Sequence, residues 1–560
     1  MRKLGALLLA TLITGGYFAS ASLAKPGRIP QKATIKTQTK ASGRTLNQEE
    51  KVSRLLGRIT FGAKPGDIEK VEAMGVDAFI EEQLHPGSIP LPERVINVAL
   101  APAVADTVPQ LVATYGRPVL KAAAEKSGEV GNNKDPENKK DANKFIGETY
   151  RKLYLDMARA RLVRAVESPR QLQEVMTDFW FNHFNVSFDK GLDHIMIGAY
   201  EEQAIRPHVL GRFRDLLGAT AHHGAMLFYL DNWQNTAVGS PLAKLPKAGA
   251  NFKGINENYA RELMELHTLG VDGGYTQKDV QELARVLTGL GLPGRRMPLA
   301  AGNGQNFKQR PGQAQGNQYT KNFGGDQVGE ANNYVQFGCR FDPLRHDNGD
   351  KVVLGETIHG GGQQEIEYML DLLARHPSTA KHIAYKLAQY FVADEPPKSL
   401  VDKLANKYLE TDGQIAEVLN TLFHSSEFYD PKYEGAKFKS PYRYLISSLR
   451  ATDATIDDVK PLVGYLKQAG QPLYQCLTPD GYKNTKDRWL NPDALINRLN
   501  VATALGSGRL PGVIVSTTNT VDIADACTTP LSDKTMQAIK GAEPQLKAAL
   551  VLGSPEFMKY

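Results

Sequence analysis

The densest set of chemically useful side chains lies in the segment GINENYARELMELHTLGVDGG, residues 254–274. A rotation of about 100° per residue puts a group of polar side chains on one face of a helix over 256–269. That face carries Asn258, Arg261, Glu262 and Glu265, while His267 falls among the apolar residues opposite. Two carboxylates three residues apart can be bridged by a divalent cation, or can divide acid and base roles if burial separates their pKa values.

We therefore predict a polar site on this helix. Its catalytic candidates are Glu262, Glu265 and Arg261, and its pocket candidates are Asn256, Glu257, Asn258 and His267. The alternative is a solvated helix face with an ion pair between Arg261 and Glu265 and a histidine in the core. Spacing alone does not separate the two interpretations, because Glu-x-x-Glu pairs are frequent on helices.

Two upstream blocks are candidates for the wall of the same pocket. In MTDFWFNHFNV, Trp180 and His183 stand in a cluster of aromatic side chains, which indicates either a wedge in the core or a pocket wall. In YLDNWQN, Asp231 and Asn232 stand at a predicted helix end, where such side chains usually cap the helix. We predict that these four residues close the site.

The sequence lacks several common motifs, which narrows the functional classes. There is no GxxxxGK[ST], strand-borne GxGxxG, HExxH or GxSxG pattern. Lys and Arg number 67 against 61 Asp and Glu, and the net charge of +6 is not concentrated in one block. We therefore predict no nucleic-acid partner. The cofactor stays open, with a divalent metal as the candidate.

The N-terminus has the layout of a secretory signal peptide over residues 1–24, with two basic residues, an apolar run at 4–13 and small residues before Lys25. We expect a mature chain that begins at Ser22 or Lys25 and is periplasmic or extracellular. An uncleaved membrane anchor is the alternative. Residues 25–47 are basic and polar, which is typical of a disordered tether. Since no later apolar run reaches about 18 residues, we predict no stable membrane span.

The chain has three cysteines, Cys339, Cys476 and Cys527, too few for a disulfide framework in an exported protein of 560 residues. Cys476 and Cys527 could form one bridge in the C-terminal region. No CxxC pattern is present, so thiol redox chemistry is disfavoured.

From residue 48 onward, apolar residues recur at helical spacing, which predicts a mainly α, multi-helical globular body forming a single domain over 48–560. Helices are predicted at 143–166, 171–184, 196–217, 256–269, 276–290, 363–375, 378–393, 398–408, 412–424, 441–452, 456–468, 492–505 and 532–551. Loop insertions are expected at 127–144 and 300–333. FGCRFDP and KVVLG, separated by RHDNGD, predict one small β-hairpin.

These blocks, in this order, resemble the bacterial domain-of-unknown-function 1800 family. The resemblance rests on GRITFGAKPGDIEKVEAMGVDAFIEEQLHP, TDFWFNHFNV, YLDNWQN, NENYARELMELHTLGVDGGYTQKDVQELARVLTG, FDPLRHDNGDKVVLG, HIAYKLAQYFVADEPP and LGSPEFM, and covers residues 50 to 557. It implies an exported helical protein of unassigned activity. Since such proteins are often encoded beside sulfatase-like ones, it also implies an exported sulfatase-like partner. It carries over no catalytic residue.

Two functional hypotheses follow. In the first, the protein is a scaffold or accessory protein that works with an exported partner through its polar Asn, Arg, Glu and His pocket. In the second, it is a metal-dependent hydrolase acting in the periplasm or outside the cell. Burial of Glu262 and Glu265 in a concave pocket favours the enzyme, because carboxylates are costly to bury without a function or a partner.

Overall fold

Helices make up most of the architecture in the computed structural model, which describes residues 46–126, 136–240, 254–293 and 330–560. The predictions for the signal peptide at 1–24, most of the tether at 25–47 and most of the insertion at 300–333 fall outside the described residues. Residues Thr45–Tyr560 form one compact unit. The predicted mainly α fold is confirmed.

The α-helices of the N-terminal half are α1 (Gln48–Ile59), α2 (Asp67–Met74), α3 (Val76–Leu84), α4 (Glu93–Ala99), α5 (Pro102–Ala105), α6 (Val108–Leu111), α7 (Arg117–Lys126), α8 (Pro136–Glu167), α9 (Gln171–His183), α10 (Asp193–Ala199), α11 (Phe213–Ala221), α12 (Gly224–Tyr229), α13 (Asn258–Glu262) and α14 (Gln277–Val286). Those of the C-terminal half are α15 (Gln363–Arg375), α16 (Pro377–Phe391), α17 (Lys398–Glu410), α18 (Ile415–Phe423), α19 (Pro441–Ala451), α20 (Lys460–Gln468), α21 (Lys486–Trp489), α22 (Pro492–Gly506), α23 (Thr520–Asp525), α24 (Asp533–Gly541) and α25 (Pro544–Leu552).

Short elements connect these helices. π-helical turns lie at Val112–Gly116, Tyr200–Ile205 and Leu263–His267, and 3-10 turns at Pro86–Ser88, Arg206–His208, Asn232–Gln234, Glu330–Phe337 and Pro431–Tyr433. The strands are β1 (Leu290–Gly291), β2 (Arg340–Phe341), β3 (Lys351–Val353), β4 (Glu356–Ile358), β5 (Thr455–Ile456) and β6 (Val513–Ile514). They form three antiparallel pairs in the described ranges: β1 with β2, β3 with β4 and β5 with β6.

Prolines account for several differences between the predicted and observed helices. Helix α8 begins at Pro136, so the predicted loop at 127–144 is wrong for its second half; proline suits the first helical position because its missing N–H has no partner there anyway. The predicted helix at 532–551 is two helices, since Pro544 starts the second. The predicted helix at 196–217 is broken by a π turn and a 3-10 turn before α11.

The predicted pairing of the hairpin is also wrong. KVV pairs with the following ETI, not with FGCRFDP, across a two-residue turn in which Leu354 and Gly355 have φ of 52° and 83°. Two positive φ values match the twist that a two-residue hairpin needs. Lys351 is held there by Glu365, which also contacts His346, with Nζ–Oε2 and Nε2–Oε1 distances of 2.5 and 3.1 Å.

The three cysteines are free thiols. The possible Cys476–Cys527 bridge is therefore not formed. Cys476 lies against Thr478, whereas the Cys527 thiol donates to the carbonyl of Thr529, 3.1 Å away. The fold is held by its core and by buried polar contacts. In the described part of the chain, no helix is both long enough and apolar enough to cross a bilayer.

A buried network of arginines and carboxylates joins α8, α9 and the Tyr200–Ile205 turn. Its members are Arg161, Arg164, Glu174, Asp178, Glu201, Glu202 and Arg206. At its centre Arg161 Nη1 lies 2.5 Å from Glu201 Oε2, and Arg161 Nη2 lies 2.6 Å from Asp178 Oδ1. Arg206 bonds Glu174 at 2.7 Å and reaches Glu201 at 3.5 Å. Glu201 thus links two buried guanidinium groups.

This network generates a stability prediction. Glu201→Gln removes the charge that compensates Arg161 and Arg206, and uncompensated buried charge typically costs about 3–5 kcal/mol. We expect a loss of that size in the free energy of unfolding, measured by urea titration. Glu202→Gln is the control, because Glu202 is 25% exposed against 5% for Glu201, and its loss should be clearly smaller. Equal losses would contradict the central role of Glu201.

Candidate functional site

A cavity of about 330 Å³ is lined by α8, α9, α16, α19 and the loop 471–485, which we call the cavity loop. Its aromatic lining residues are Phe179, Phe181, Tyr390, Tyr442, Tyr474, Tyr482, Trp489 and Tyr560. Its charged lining residues are Arg161, Asp178, Lys386, Arg443, Asp480 and Lys483. An aromatic wall with a few charged groups, and a volume in this range, is typical of a small-molecule site. We call this space the aromatic cavity.

Two asparagines of α9 and its C-terminal extension hold the cavity loop in place. Asn182 makes a reciprocal pair with the backbone of Tyr482: its Nδ2 donates to the carbonyl at 2.9 Å, and its Oδ1 accepts from the N–H at 2.7 Å. Asn185 Nδ2 donates to the carbonyls of Cys476 and Thr478 at 3.1 and 2.9 Å. The polar residues of the WFNHFNV block therefore shape one wall of the aromatic cavity.

The backbone of the cavity loop is strained at Tyr474. This residue has φ of 61°, a left-handed conformation that is rare for a bulky side chain. Its buried ring lines the cavity, and its hydroxyl donates to Glu201 Oε2 at 3.1 Å. Strain of this kind persists where the surroundings over-determine it, commonly at binding sites.

Arg161 and Asp178 form a charged part of the cavity lining. The Arg161 guanidinium lies 4.9, 5.3 and 5.2 Å from the ring centres of Phe181, Tyr442 and Tyr474. Burial raises the pKa of Asp178, and its contact with Arg161 only partly offsets this rise. Arg161 and Asp178 thus belong both to the buried network of arginines and carboxylates and to the cavity lining.

Arg443 has no carboxylate partner among the described residues. Its Nη2 donates to the carbonyls of Gly57, Arg58 and Thr60 at 2.8, 3.0 and 2.6 Å. Its buried Nε has no hydrogen-bond partner. The side chain lines the aromatic cavity and acts electrostatically on Asp178, so a cation without an ion pair and a free N–H donor stand beside the space.

Lys386 is the second cation without a partner in the parts of the chain that the structure describes. It lies on α16 at the cavity wall, and Asp480 of the cavity loop is the carboxylate that acts on it electrostatically. Burial lowers the pKa of Lys386 to about 8, and Asp480 only partly offsets this. A large share of its amine is therefore neutral in mildly basic solution, and a neutral amine can act as a base or a nucleophile.

Three buried or half-buried histidines lie within electrostatic range of Lys386: His183, His267 and His382. The ring centre of His183 lies 6.2 Å from that of His267 and 6.1 Å from that of His382. Burial lowers the pKa of His267 to about 3 and that of His382 to about 4, and the charge of Lys386 adds to both effects. Burial also lowers the pKa of His183. All three rings are neutral near pH 7.

The π turn Leu263–His267 explains how two of these rings are oriented. The last carbonyls of a helical segment have no partner within it, and Leu266 and His267 end this turn. His382 Nε2 donates to the carbonyl of Leu266 at 3.3 Å, and His183 Nε2 donates to that of His267 at 3.1 Å. Because a carbonyl only accepts, the proton of each neutral ring lies on Nε2. His183 Nδ1 is then a buried acceptor, and it has no donor among the described residues.

The predicted catalytic face lies beside this cluster. Arg261 does not pair with Glu265: its Nη2 contacts Glu257 Oε2 at 3.2 Å and Gln277 Oε1 at 2.9 Å, because helical side chains point back toward the N-terminus. Glu265 accepts from the Tyr275 hydroxyl at 3.2 Å. Glu262 is half-buried; burial and then Glu265 raise its pKa, and Asp480 adds to this. The two glutamates are neither fully solvated nor in the lining of the aromatic cavity.

The predicted asparagines form a structural ladder. The buried Asn232 donates to the carbonyls of Leu287 and Leu290 at 3.3 and 2.9 Å and accepts from Asn235 at 3.1 Å. Asn235 Oδ1 accepts from the N–H of Asn256 at 3.0 Å, and Asn256 Oδ1 from that of Asn258 at 3.0 Å. This ladder ties the YLDNWQN block to the start of α13.

The structure therefore divides the predicted pocket residues among several roles. His183 lines the aromatic cavity and His267 lies next to it. Trp180 is fully buried in the core, where its Nε1 donates to the carbonyl of Val209 at 3.1 Å. Asp231 is removed from the cavity and pairs with Lys190 at 2.9 Å.

Sequence reasoning missed Lys386, Asp480, Arg443 and the His382 ring. A signal for part of this set exists in HIAYKLAQYF, where His382, Lys386 and Tyr390 follow each other at intervals of four on an otherwise apolar helix. Among the residues that the structure describes, no three His, Cys, Asp or Glu side chains are arranged as metal ligands.

The neutral histidines generate a pH prediction. His267 has a pKa of about 3 in the folded state against 6.5 when unfolded, so between these pH values only the unfolded chain binds the proton. Its contribution to stability is therefore full above pH 6.5 and is lost as the pH falls towards 3. The loss is about 1.4 kcal/mol per pH unit. His267→Leu should flatten the acid limb of unfolding free energy against pH by that amount. His382→Leu should act in the same direction. An unchanged acid limb in both variants would show that other groups control acid stability.

Comparison with known proteins gives one family. The family model described as "Protein of unknown function (DUF1800)" matches residues 54–559, a range that includes the aromatic cavity, the histidine cluster and the asparagine ladder. No curated protein and no solved structure matches the chain. Since the match spans nearly the whole sequence, the chain belongs to the DUF1800 family of proteins of unknown function.

Proposed function

We propose that the protein binds a small anionic organic molecule in the aromatic cavity, with Lys386 as the group that meets its charge. The observation that carries the proposal is the pair of cations, Lys386 and Arg443, that line the same cavity without ion-pair partners in the described chain. Buried charges are normally paired or bind a ligand, because desolvating an unpaired charge is costly.

The balance of charge around the cavity favours an anion. Arg161 is paired with Asp178 and with Glu201, which Arg206 shares, so it adds no positive excess; Asp178 also acts electrostatically on Arg443. The other charged lining residues are three cations, Lys386, Arg443 and the exposed Lys483, and one carboxylate, Asp480. Aromatic rings on several sides provide apolar contact for the body of the ligand.

Acid–base chemistry is within reach of the same groups. Lys386 has a pKa of about 8 and can exist as amine or ammonium under ordinary conditions. The neighbouring His183 is neutral and has an acceptor nitrogen without a donor. A ligand bound between them would meet both a proton donor and a proton acceptor, so the proposal includes catalysis that uses no metal in this cavity.

The accessory-protein hypothesis is the second candidate, and one observation favours it. The asparagine ladder uses Asn232, Asn256 and Asn258 for loop packing rather than for ligand contact, as a scaffold would. Export to the periplasm or outside the cell, and a sulfatase-like exported partner, belong to the proposal in either form. A metal-dependent hydrolase would need ligands other than the predicted Glu262 and Glu265 pair.

We expect Lys386 to lower the free energy of unfolding. Because its pKa is about 8 when folded and 10.5 when unfolded, folding disfavours its charged form; this cost is full below pH 8 and disappears as the pH rises to 10.5. Lys386→Met should therefore stabilise the protein by about 1–3 kcal/mol at neutral pH, and less at about pH 10. Urea unfolding at both pH values measures this. Lys381→Met, an exposed change on the same helix, is the matched control and should have no such effect. A destabilised Lys386→Met variant would contradict a strained, functional lysine.

Binding is tested with acetate, inorganic phosphate and sulfate, none of which carries a reactive carbonyl. At least one should raise the melting temperature and give a saturable calorimetric signal. Lys386→Met should weaken binding about tenfold, equivalent to about 1.4 kcal/mol, while Lys381→Met binds like the unaltered protein. Affinity should also fall as the pH passes about 8, where Lys386 loses its charge. Absence of binding by all three anions at millimolar concentration would reject the anion site and leave the accessory hypothesis.

A further inference from the structure

The arrangement around Lys386 supports a more specific ligand class, and this inference rests on the proposed anion site. Lys386 and Tyr390 are four residues apart on α16, so they lie on the same side of that helix. The Tyr390 hydroxyl accepts from Arg443 Nη1 at 3.3 Å. Lys386 and Arg443 therefore flank the same tyrosine at the cavity wall, one with a primary amine and one with a free guanidinium N–H.

We propose that Lys386 forms an imine with a small 2-oxo acid, whose carboxylate lies toward Arg443. The observations behind this proposal are positional. The amine of Lys386 has no acceptor in the described chain, lines a partly open cavity with His183, and acts electrostatically on His183, His267 and His382. A 2-oxo acid presents one carbonyl and one adjacent carboxylate, which matches one amine next to one free donor.

The chemistry balances without an oxidant or a reductant. The Nζ lone pair attacks the carbonyl carbon, a carbon–nitrogen bond forms, and the carbonyl π electrons move to oxygen, which takes a proton from solvent. Nitrogen loses a proton to His183 Nδ1, the acceptor without a donor. The protonated imidazole is strongly acidic at this buried position and returns the proton to the hydroxyl, which leaves as water as the carbon–nitrogen double bond forms. The net reaction consumes one solvent proton and gives one protonated imine and one water.

The experiment is reductive trapping of the full chain with pyruvate and sodium cyanoborohydride, followed by intact mass and peptide mapping. We expect one reduced adduct per chain, located on Lys386. Lys386→Arg keeps the positive charge but cannot form the imine, so it should give no adduct at this peptide. The matched control Lys381→Arg should react like the unaltered protein, and acetate should slow trapping by competing for the cavity. The acetate competition in the unaltered protein tests the proposal even if Lys386→Arg folds poorly.

The outcomes separate this inference from the proposed function. No adduct, or adducts distributed over surface lysines and insensitive to acetate, would overturn the imine. If acetate still binds in that case, the anion site stands without covalent chemistry. If neither acetate binding nor an adduct is found, both proposals fail together.

Discussion

The contact between Arg161 and Glu201 is the constraint on which the rest of the structure depends. Both side chains are about 95% buried, and each is shared: Arg161 also bonds Asp178, and Glu201 also bonds Arg206 and Tyr474. Through them α8, α9 and the Tyr200–Ile205 turn are joined to the strained cavity loop. Since a buried charge without its partner is strongly destabilising, none of these elements can shift independently.

The same contact couples stability to the site. Tyr474 can hold a left-handed backbone because its hydroxyl is bound by Glu201 and its ring lies over Arg161. The wall of the aromatic cavity is thereby fixed before any ligand arrives, which lowers the ordering cost of binding. In contrast, Lys386 and Arg443 line the same cavity without an ion pair in the described chain. Arg161 is paired and these two cations are not, and this contrast is the basis of the proposed anion site.

Much of the fold could be predicted from the sequence, because apolar periodicity and prolines control helix positions locally. The helix at 363–375 was predicted to the residue. The strand pairing of Lys351–Val353 was not, because the two-residue turn after it returns the chain onto Glu356–Ile358. The candidate site was harder to predict from the sequence. The NENYARELMELH block is rich in ionisable residues, but most of them contact one another or the neighbouring turn. Lys386 could not be predicted as a site residue, because a single lysine on a helix resembles a surface residue until the elements packed around it are known.

The π turns limit where residues can be deleted from this chain. A π turn arises where a helix carries one residue more than an α turn would close over. One such turn, Tyr200–Ile205, carries Glu201, and another, Leu263–His267, supplies the carbonyls that orient His183 and His382. Deleting a single residue from either turn would remove the extra residue that it accommodates and displace Glu201, or the carbonyls of Leu266 and His267, from their partners. Deletions, which surface loops accept readily, should therefore be poorly tolerated at these two places even where substitutions are accepted.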